Sequence, residues 1–435
     1  MSDLQGRTLH FIAIGGAGMS GLALVANARG AAVSGSDRAR STYFERVAAA
    51  GIKAYEGHDP ARVPAEAEIV VSSAIPEENP ELRLARERGQ RVIHRGRLLA
   101  ELCAGYRLIA VAGAHGKTTT AGMIAWAARG GASYFLGGEL PGAGAGGGPA
   151  NAGWVDGAEW VIAEADESDA SFLELRPEIA VVTNIELDHH SRWGSRAELY
   201  EAFRAFAQPS STLVLGPDPS LGTVAGAQRV VRFGVDGPGP ELALGVPGEH
   251  NLLNARGAYA ALELASLGDP EELAAGLATF PGMVRRLERK GTYAGALVYD
   301  DYAHHPTEVA AALAALRALG PRRLIAVFQP HLYSRTKALA ARFGAALTAA
   351  DEIGVLDVYP AREKPVGPLA GVSGLDVARA AADRAGGRPV WWMRDLDGAR
   401  RALEPRLGEG DLLVTLGAGD VVEVADALVE AGDGP

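Results

Sequence analysis

The stretch Val111-Ala-Gly-Ala-His-Gly-Lys-Thr-Thr-Thr120 decides the reading of this chain. An apolar run, Leu108 to Ala112, leads into Gly113, Gly116, Lys117 and Thr118, and a helix-compatible segment, Ala121 to Arg129, follows. Strand, Gly-rich turn, Lys-Thr and helix start describe a cradle for nucleotide phosphates. Glycines let backbone N–H groups approach the phosphates, and the helix N-terminus adds positive potential. In such a loop Lys117 reaches the terminal phosphates and the Thr118 hydroxyl ligates Mg²⁺. The strict pattern asks for Gly where Val111 stands, so this is a shortened loop. An ordinary strand-to-helix turn is the alternative.

Around this stretch the composition is that of a soluble globular enzyme: 435 residues, 48% hydrophobic and 22% charged. The length exceeds what one core supports and predicts two to four domains. No apolar run is long enough to span a bilayer, and the polar start, Met1 to Arg7, lacks a signal-peptide core. With Cys103 as the single cysteine, no internal disulfide forms, and a reducing cytoplasm fits. A formal charge of −11 argues against a nucleic-acid partner. Anionic ligands must therefore be held by local devices.

Apolar runs alternate with Ala-rich helical stretches, which predicts an α/β architecture with largely parallel sheets. A first unit has strands at Leu9–Ile14, Ala32–Gly35 and Ile69–Ser72. A second holds the phosphate loop and strands at Trp160–Glu164, Ile179–Thr183 and Thr212–Leu215. Its Gly/Pro/Ala-rich stretch from Gly137 to Gly153 reads as a mobile loop. A third begins near Thr292, with strands at Leu297–Asp300, Leu324–Phe328, Ile353–Leu356, Val390–Met393 and Leu412–Leu416. Helices are predicted at Pro306–Leu319 and Thr336–Ala349.

The first strand runs into Gly15-Gly-Ala-Gly-Met-Ser-Gly21, where Gly16, Gly18 and Gly21 fit G-x-G-x-x-G and Asp37 has the spacing of a ribose-binding acid. The fingerprint admits NAD, a UDP-sugar or a bare tight turn. Two phosphate cradles on separate units shift the balance. A dehydrogenase needs one dinucleotide. One diphosphate site plus one ATP site suits carboxylate activation or phosphoryl transfer.

Four acids lie within Glu164-Ala-Asp-Glu-Ser-Asp169 at a strand end, where they need cations or solvent. Asp188, His189 and His190 end another strand. Oxygen donors suit Mg²⁺, and a histidine on it is unusual, so spacing alone leaves His189 open between ligand and loop residue. Further clusters are Gly248-Glu-His-Asn-Leu-Leu-Asn254, Arg285-Arg-Leu-Glu288, Asp300-Asp-Tyr-Ala-His-His-Pro-Thr-Glu308 and Phe328-Gln-Pro-His-Leu-Tyr-Ser-Arg-Thr336. The last two end strands of the third unit, which is where open α/β sheets bind ligands.

With these motifs in this order the chain resembles the Mur ligases over nearly its whole length. The resemblance rests on His10–Gly21, Ser72-Ser-Ala-Ile75 with Asn79-Pro-Glu81, Gly113–Thr120, Glu164–Phe172, Thr183–His189, His250–Asn254, Asp300–Glu308 and Phe328–Thr336. It implies three domains: residues 1–105, a Rossmann-like UDP-sugar domain; 106–291, a central P-loop-type ATPase domain with a mostly parallel sheet; and 292–435, a Rossmann-like domain that brings the amino acid and closes the site. It implies ATP- and Mg²⁺-dependent amide formation in peptidoglycan synthesis, with UDP-N-acetylmuramate and L-alanine as the partners joined. The lactyl carboxylate takes the γ-phosphoryl group, and the amine attacks the acyl phosphate.

Matched to the family, UDP-sugar contacts fall at Gly15, Gly16, Gly18, Met19, Ser20, Asp37 and Ser73. ATP contacts fall at Gly113, Ala114, His115, Gly116, Lys117, Thr118, Thr119, Asn251, Asn254, Arg286 and Asp301. Metal ligands fall at Thr118, Glu164 and His189, and the amino acid and acyl phosphate meet near Tyr302, His304 and Arg335. Lys117, His189, His304 and Arg335 form the implied catalytic set.

The chain departs from the family at several points. Ala114 stands for the usual Thr, Val284 for the Gly before the Arg pair, and Leu332 for an Arg. The segment between Phe233-Gly-Val235 and Val246-Pro-Gly248 is short. The nearest alternative is the related ligase that recycles a whole peptide onto the same UDP-sugar; Phe328-Gln-Pro-His331 favours the alanine-adding member. An NAD-dependent oxidoreductase and a non-catalytic UDP-sugar sensor are the alternatives from other classes. The second phosphate loop opposes the former. Retention of Lys117, Thr118, Glu164 and His189 opposes the latter. A monomer or homodimer is expected.

Overall fold

The structure, a computed structural model, describes residues 4–128, 130–144, 148, 150–186, 193–226, 229–235, 239–361 and 363–432. Contacts divide the chain into two units, Met1–Gly245 with Leu252–Pro281, and Val246–Asn251 with Gly282–Pro435. The first unit carries two sheets and the second one.

In the first sheet, β1 (Thr8–Ile12), β2 (Ala32–Asp37), β3 (Lys53–Glu56), β4 (Glu68–Val71) and β5 (Val92–His94) run parallel in the order β3-β2-β1-β4-β5. The connections reverse direction beside β1, so the end of β1 is the topological switch point where such sheets bind ligands. The helix Ala17–Ala28 begins there, with Gly16 as its N-cap and no side-chain cap.

The second sheet contains β6 (Arg107–Ala112), β7 (Ala132–Leu140), β8 (Ala150–Gly153), β9 (Trp160–Glu164), β10 (Ile179–Val182), β11 (Thr212–Leu215) and β12 (Arg229–Arg232). Their order is β12-β11-β10-β6-β9-β7-β8, parallel throughout except for β8 against β7. From Leu108 to Ala112 β6 is fully buried, as a central parallel strand must be. Phe172 packs on Phe203 and Phe206, each ring 5.2 Å away, and seals the core beneath the acidic segment.

The third sheet, in the second unit, contains β13 (Glu288–Tyr293), β14 (Ala296–Asp301), β15 (Arg323–Phe328), β16 (Glu352–Val355), β17 (Val390–Trp392) and β18 (Asp411–Leu416), in the order β13-β14-β18-β15-β16-β17. Only β13 is antiparallel, with a bulge between Arg289 and Gly291. Since β14 and β15 both flank β18, the segments after Asp301, Phe328 and Leu416 emerge side by side.

The structure corrects several sequence readings. The phosphate-loop helix starts at Lys117, not Ala121, because Gly116 supplies a left-handed cap (φ 82°) directly before it. The Gly-rich stretch 137–153, expected as a mobile loop, has its described ends in β7 and β8. Its small residues permit close approach: a Cβ on Gly21 of the first helix would stand 2.9 Å from Ala152 Cβ. The second unit takes in Gly282 and β13, so it starts before Thr292. No helix among the described residues is long and apolar enough to cross a membrane.

Candidate active site

Backbone strain and side-chain bracing shape the phosphate loop. Gly113 (φ 143°) and Gly116 (φ 82°) adopt conformations that L side chains rarely reach. A Cβ on Gly113 would collide with Thr183 Oγ1, and one on Gly116 with Asn254 Oδ1. His115 N donates to Asn184 Oδ1 (2.9 Å), while Thr183 Oγ1 (2.6 Å) and Asn184 Nδ2 (2.9 Å) donate to His115 O. The end of β10 thus braces the loop. His115 Nε2 lies 3.0 Å from Glu186 Oε2. The helix that follows has no side-chain cap, so its first N–H groups remain for an anion.

Lys117 folds back over this loop. Nζ donates to Gly113 O (2.5 Å) and Ala114 O (3.3 Å) and lies 3.0 Å from Glu167 Oε2. Burial opposes its charge, but the carboxylates of Glu167, Asp166 and Glu164 outweigh burial and hold its pKa above the ordinary lysine value. Asp166 is buried too, yet Arg95 and Lys117 hold its carboxyl down at about 2. Burial pushes Glu167 up, so it takes up a proton before Asp166 as pH falls.

Thr118 Oγ1 donates to Glu164 Oε1 (3.0 Å), and Gly137 N donates to Glu164 Oε2 (2.7 Å). A hydroxyl and a carboxylate from neighbouring strand ends, beside a phosphate cradle, are the hard oxygen donors that fit Mg²⁺ together with phosphates. Thr119 is buried in the first turn of the helix. His189, the third metal candidate, lies outside the described residues, as do Asp188 and His190. Asn254 faces Gly116. Asn251 is buried and donates from Nδ2 to Pro247 O (2.7 Å).

At the switch point of the first sheet, Gly15 N donates to Asp37 Oδ2 (2.9 Å), and Ser41 Oγ donates to Gly15 O (2.8 Å). Asp37 thus pins the glycine turn. Gly16 caps the helix and Gly18 lies in its first turn. Met19 and Ser20, placed among the sugar contacts by resemblance, are buried, and their N–H groups bond to Gly16 O. They supply the helix start, not exposed side chains. Ser73 is exposed and sits 3.4 Å from Asp169 Oδ2.

A cleft of about 60 Å³ joins the two sheets of this unit, lined among others by Gly18, Arg95, Phe135, Asn151, Glu164 and Asp166. Asn151 reaches from β8 to the first helix, donating from Nδ2 to Ala17 O (2.5 Å) and Ser20 Oγ (2.9 Å). Neither Arg95 nor Asn151 stood out in the sequence. Arg95 opens a helix that carries no motif, and Asn151 lies in the Gly-rich stretch after Gly137.

In the second unit the structure gathers Tyr302, His304 and Arg335. The Tyr302 and His304 rings are 5.5 Å apart, His304 and His331 6.1 Å, and Arg335 Nη1 lies 3.4 Å from His331 Nδ1. Tyr359 stacks on His331 at 5.8 Å. His331 lies within Phe328–Thr336, where sequence alone gives it no role, and Tyr359 carries no local signal. Leu332, at the missing-Arg position, caps the helix Tyr333–Leu347 with φ 70°, and its N–H donates to Tyr359 O.

Arg285 and Arg286 both stand 5.1 Å from the Tyr302 ring centroid. Arg285 is structural, binding Asp300, Gly417 O and Gly419 O. Asp301 accepts from Leu287 N and Ala303 N, both at 2.7 Å, and burial raises its pKa to about 6 despite Arg286. Both of its oxygens are therefore engaged by the backbone of its own unit.

Two uncapped Gly-rich helix starts on parallel sheets, one with Lys and Thr set against carboxylates, define an α/β nucleotide-using enzyme. Three family models match in chain order: Mur ligase family, catalytic domain (8–107), Mur ligase middle domain (111–237) and Mur ligase, glutamate ligase domain (285–419). The UDP-N-acetylmuramate–L-alanine ligase of Kineococcus radiotolerans is 45% identical, covering 97% of this chain and 95% of the relative. That of Streptomyces coelicolor is 42% identical over 97% and 96%. The crystal structure of the UDP-N-acetylmuramate-alanine ligase from Thermotoga maritima shares the fold, with TM-score 0.82, 24% identity and 98% of each chain covered. The chain belongs to the Mur ligase family.

Proposed function

We propose that this protein joins L-alanine to the lactyl carboxylate of UDP-N-acetylmuramate, using ATP and Mg²⁺ and passing through an acyl phosphate. The observation that carries the reading is the phosphate loop, with Lys117 held charged among carboxylates and Thr118 bonded to Glu164. Relatives bearing this enzyme name at 40–45% identity over almost the whole chain support the choice of substrates. Phe328-Gln-Pro-His331 favours alanine over a recycled peptide.

In this reading the Lys117 side chain and the N–H groups of Gly116 to Thr118 at the uncapped helix start orient the terminal phosphates and offset the charge that develops in phosphoryl transfer. Thr118, Glu164 and His189 would hold Mg²⁺, which would neutralise phosphate charge. Asn251, Asn254, Arg286 and Asp301 serve the nucleotide. The turn Gly15–Gly18, with Asp37 and Ser73, seats the UDP-sugar. Tyr302, His304 and Arg335 orient the alanine, whose amine attacks as the free base. Water must be kept from the acyl phosphate while this happens. The protein acts in the cytoplasm, as a monomer or homodimer.

The test is phosphate release from ATP with UDP-N-acetylmuramate and each amine in turn. L-Alanine should give the fastest turnover. Preference for a muramyl-type tripeptide assigns the chain to recycling. NADH formation with no phosphate release defeats the ligase reading.

A further inference from the structure

Three strand ends of the second unit meet around Tyr359. The residue follows β16, and two backbone bonds tie it to the end of β15. Leu332 N donates to Tyr359 O (3.0 Å), and Tyr359 N donates to Pro330 O (2.8 Å). A parallel bridge pairs His331 with Tyr359, and their rings stack 5.8 Å apart with 14° between the planes. The Tyr359 ring also lies against the turn after β18. A Cβ on Gly419 would stand 2.6 Å from Tyr359 Cγ and would collide with Gln329 Oε1. Gln329 holds that turn in place: Nε2 donates to Asp420 Oδ1 (2.6 Å), and Oε1 accepts from Val421 N (3.2 Å). The Gly417-Ala-Gly419 turn is thus a seat for the Tyr359 ring, and a side chain at 419 would displace it.

The stack has a chemical consequence on the imidazole. Arg335 Nη1 lies 3.4 Å from His331 Nδ1, and a guanidinium only donates. Nδ1 therefore accepts, and the neutral ring carries its proton on Nε2. Leu332 puts no cation between these two residues. It holds φ at 70°, a value rare for a residue with a side chain, and the bonds at Tyr359 over-determine that backbone. A carboxylate bound by Arg335 then finds His331 beside it, and the guanidinium is only as well placed as the ring it bonds to.

We propose that Tyr359 is the positioning residue of the amino-acid end. Seated by Gly419, its ring fixes the His331 imidazole, and His331 fixes the Arg335 guanidinium on which the amino acid's carboxylate docks. This rests on the reading of Tyr302, His304 and Arg335 as the amino-acid site. Tyr359 acts through His331 and touches no reacting atom.

The experiment is steady-state phosphate release by the full chain with each substrate varied in turn, together with imidazole nitrogen NMR of the same proteins. Tyr359→Leu should raise the KM for L-alanine about tenfold, the size of a lost aromatic stack, and leave the KM values for ATP and UDP-N-acetylmuramate within about threefold. Tyr359→Phe keeps the stack and should restore all three KM values to within about twofold of wild type. Gly419→Ala should repeat the Tyr359→Leu pattern, and the two together should fall well short of the product of their separate effects. The imidazole signal that disappears in His331→Gln should report a proton on Nε2 in wild type and should shift in Tyr359→Leu. If Tyr359→Leu fails to fold, Gly419→Ala and the wild-type spectrum decide. An unchanged KM for L-alanine, an equal rise in all three KM values, or a wild-type His331 protonated on Nδ1 overturns the proposal. Wild-type preference for a tripeptide over L-alanine would defeat the alanine reading alone, and Tyr359 would then be judged on the KM for the tripeptide. Wild-type protein that releases no phosphate with any amine overturns both.

Discussion

Replacing Lys117 by Met tests the phosphate loop on two independent scales. Nζ sits 2.5 Å from Gly113 O and 3.0 Å from Glu167 Oε2, so the substitution removes a placed cation and strands a buried carboxylate. Loss of a positioned charge at a phosphoryl-transfer site should cost about 3 kcal/mol or more, roughly a hundredfold in rate. Breaking a buried ion pair from one side costs about 3–5 kcal/mol of stability in general. Here Glu167 can take up a proton, because burial already raises its pKa. In Lys117→Met that rise is no longer opposed by the lysine. A carboxyl with a raised folded pKa stabilises the fold below its unfolded pKa and loses that contribution as pH rises through the folded value. The urea midpoint of Lys117→Met should therefore fall further below wild type at pH 8 than at pH 5. Adding Glu167→Gln should restore stability and leave ligation abolished. The assays are phosphate release, urea titration at the two pH values and UDP binding, which should stay within about threefold of wild type because the two phosphate sites are separate. Retention of more than about a tenth of the wild-type rate in Lys117→Met, or recovery of rate in the double variant, would refute the loop assignment.

Glu164→Gln and His189→Ala should each raise the Mg²⁺ concentration needed for half-maximal activity, and unchanged metal dependence in both removes them as ligands. No lysine lies between Lys117 and Lys290, so activity should not depend on bicarbonate through a carbamylated lysine; a clear requirement would count against this metal site. Asp301, with its pKa raised to about 6 by burial, favours the fold when protonated. Its contribution should fade as pH rises from about 4 to 6; Asp301→Asn should flatten that part of the stability profile, and an unaltered slope would exclude it as the titrating group. Arg335→Lys should depress use of L-alanine strongly, since a planar fork binds a carboxylate through two oxygens. Glycine and L-serine should remain slow substrates, because one methyl group discriminates by only about 1–3 kcal/mol. Competition among L-alanine, glycine, L-serine and a tripeptide checks both statements, and a silent Arg335→Lys removes that residue from the site.

The sequence by itself determined what is local. A buried run followed by Gly113, Gly116, Lys117 and Thr118 has few backbone solutions, and the same holds for Gly15 to Gly21 after β1. Strand positions in the central parallel sheets were legible because buried strands must be continuously apolar, as Leu108 to Ala112 are. The short edge strands β3, β5 and β12 lack that pattern and passed unseen, being partly exposed.

The tertiary structure decided what distant residues do to one another. Lys117 meets Glu167, Arg95 meets Asp166 and Asp169, and His331 meets Tyr359 through strand ends that only sheet pairing brings together. Spacing along the chain carries no record of such meetings. Burial also adds what motif position alone does not carry: Met19 and Ser20 turn inward, and both Asp301 oxygens accept from backbone N–H groups. In the same way, Gly and Ala between 137 and 153 looked like flexibility. The packed fold uses Ala152 as close-approach surface against Gly21, because a small side chain lets two backbones meet, and composition does not reveal whether a neighbour is there.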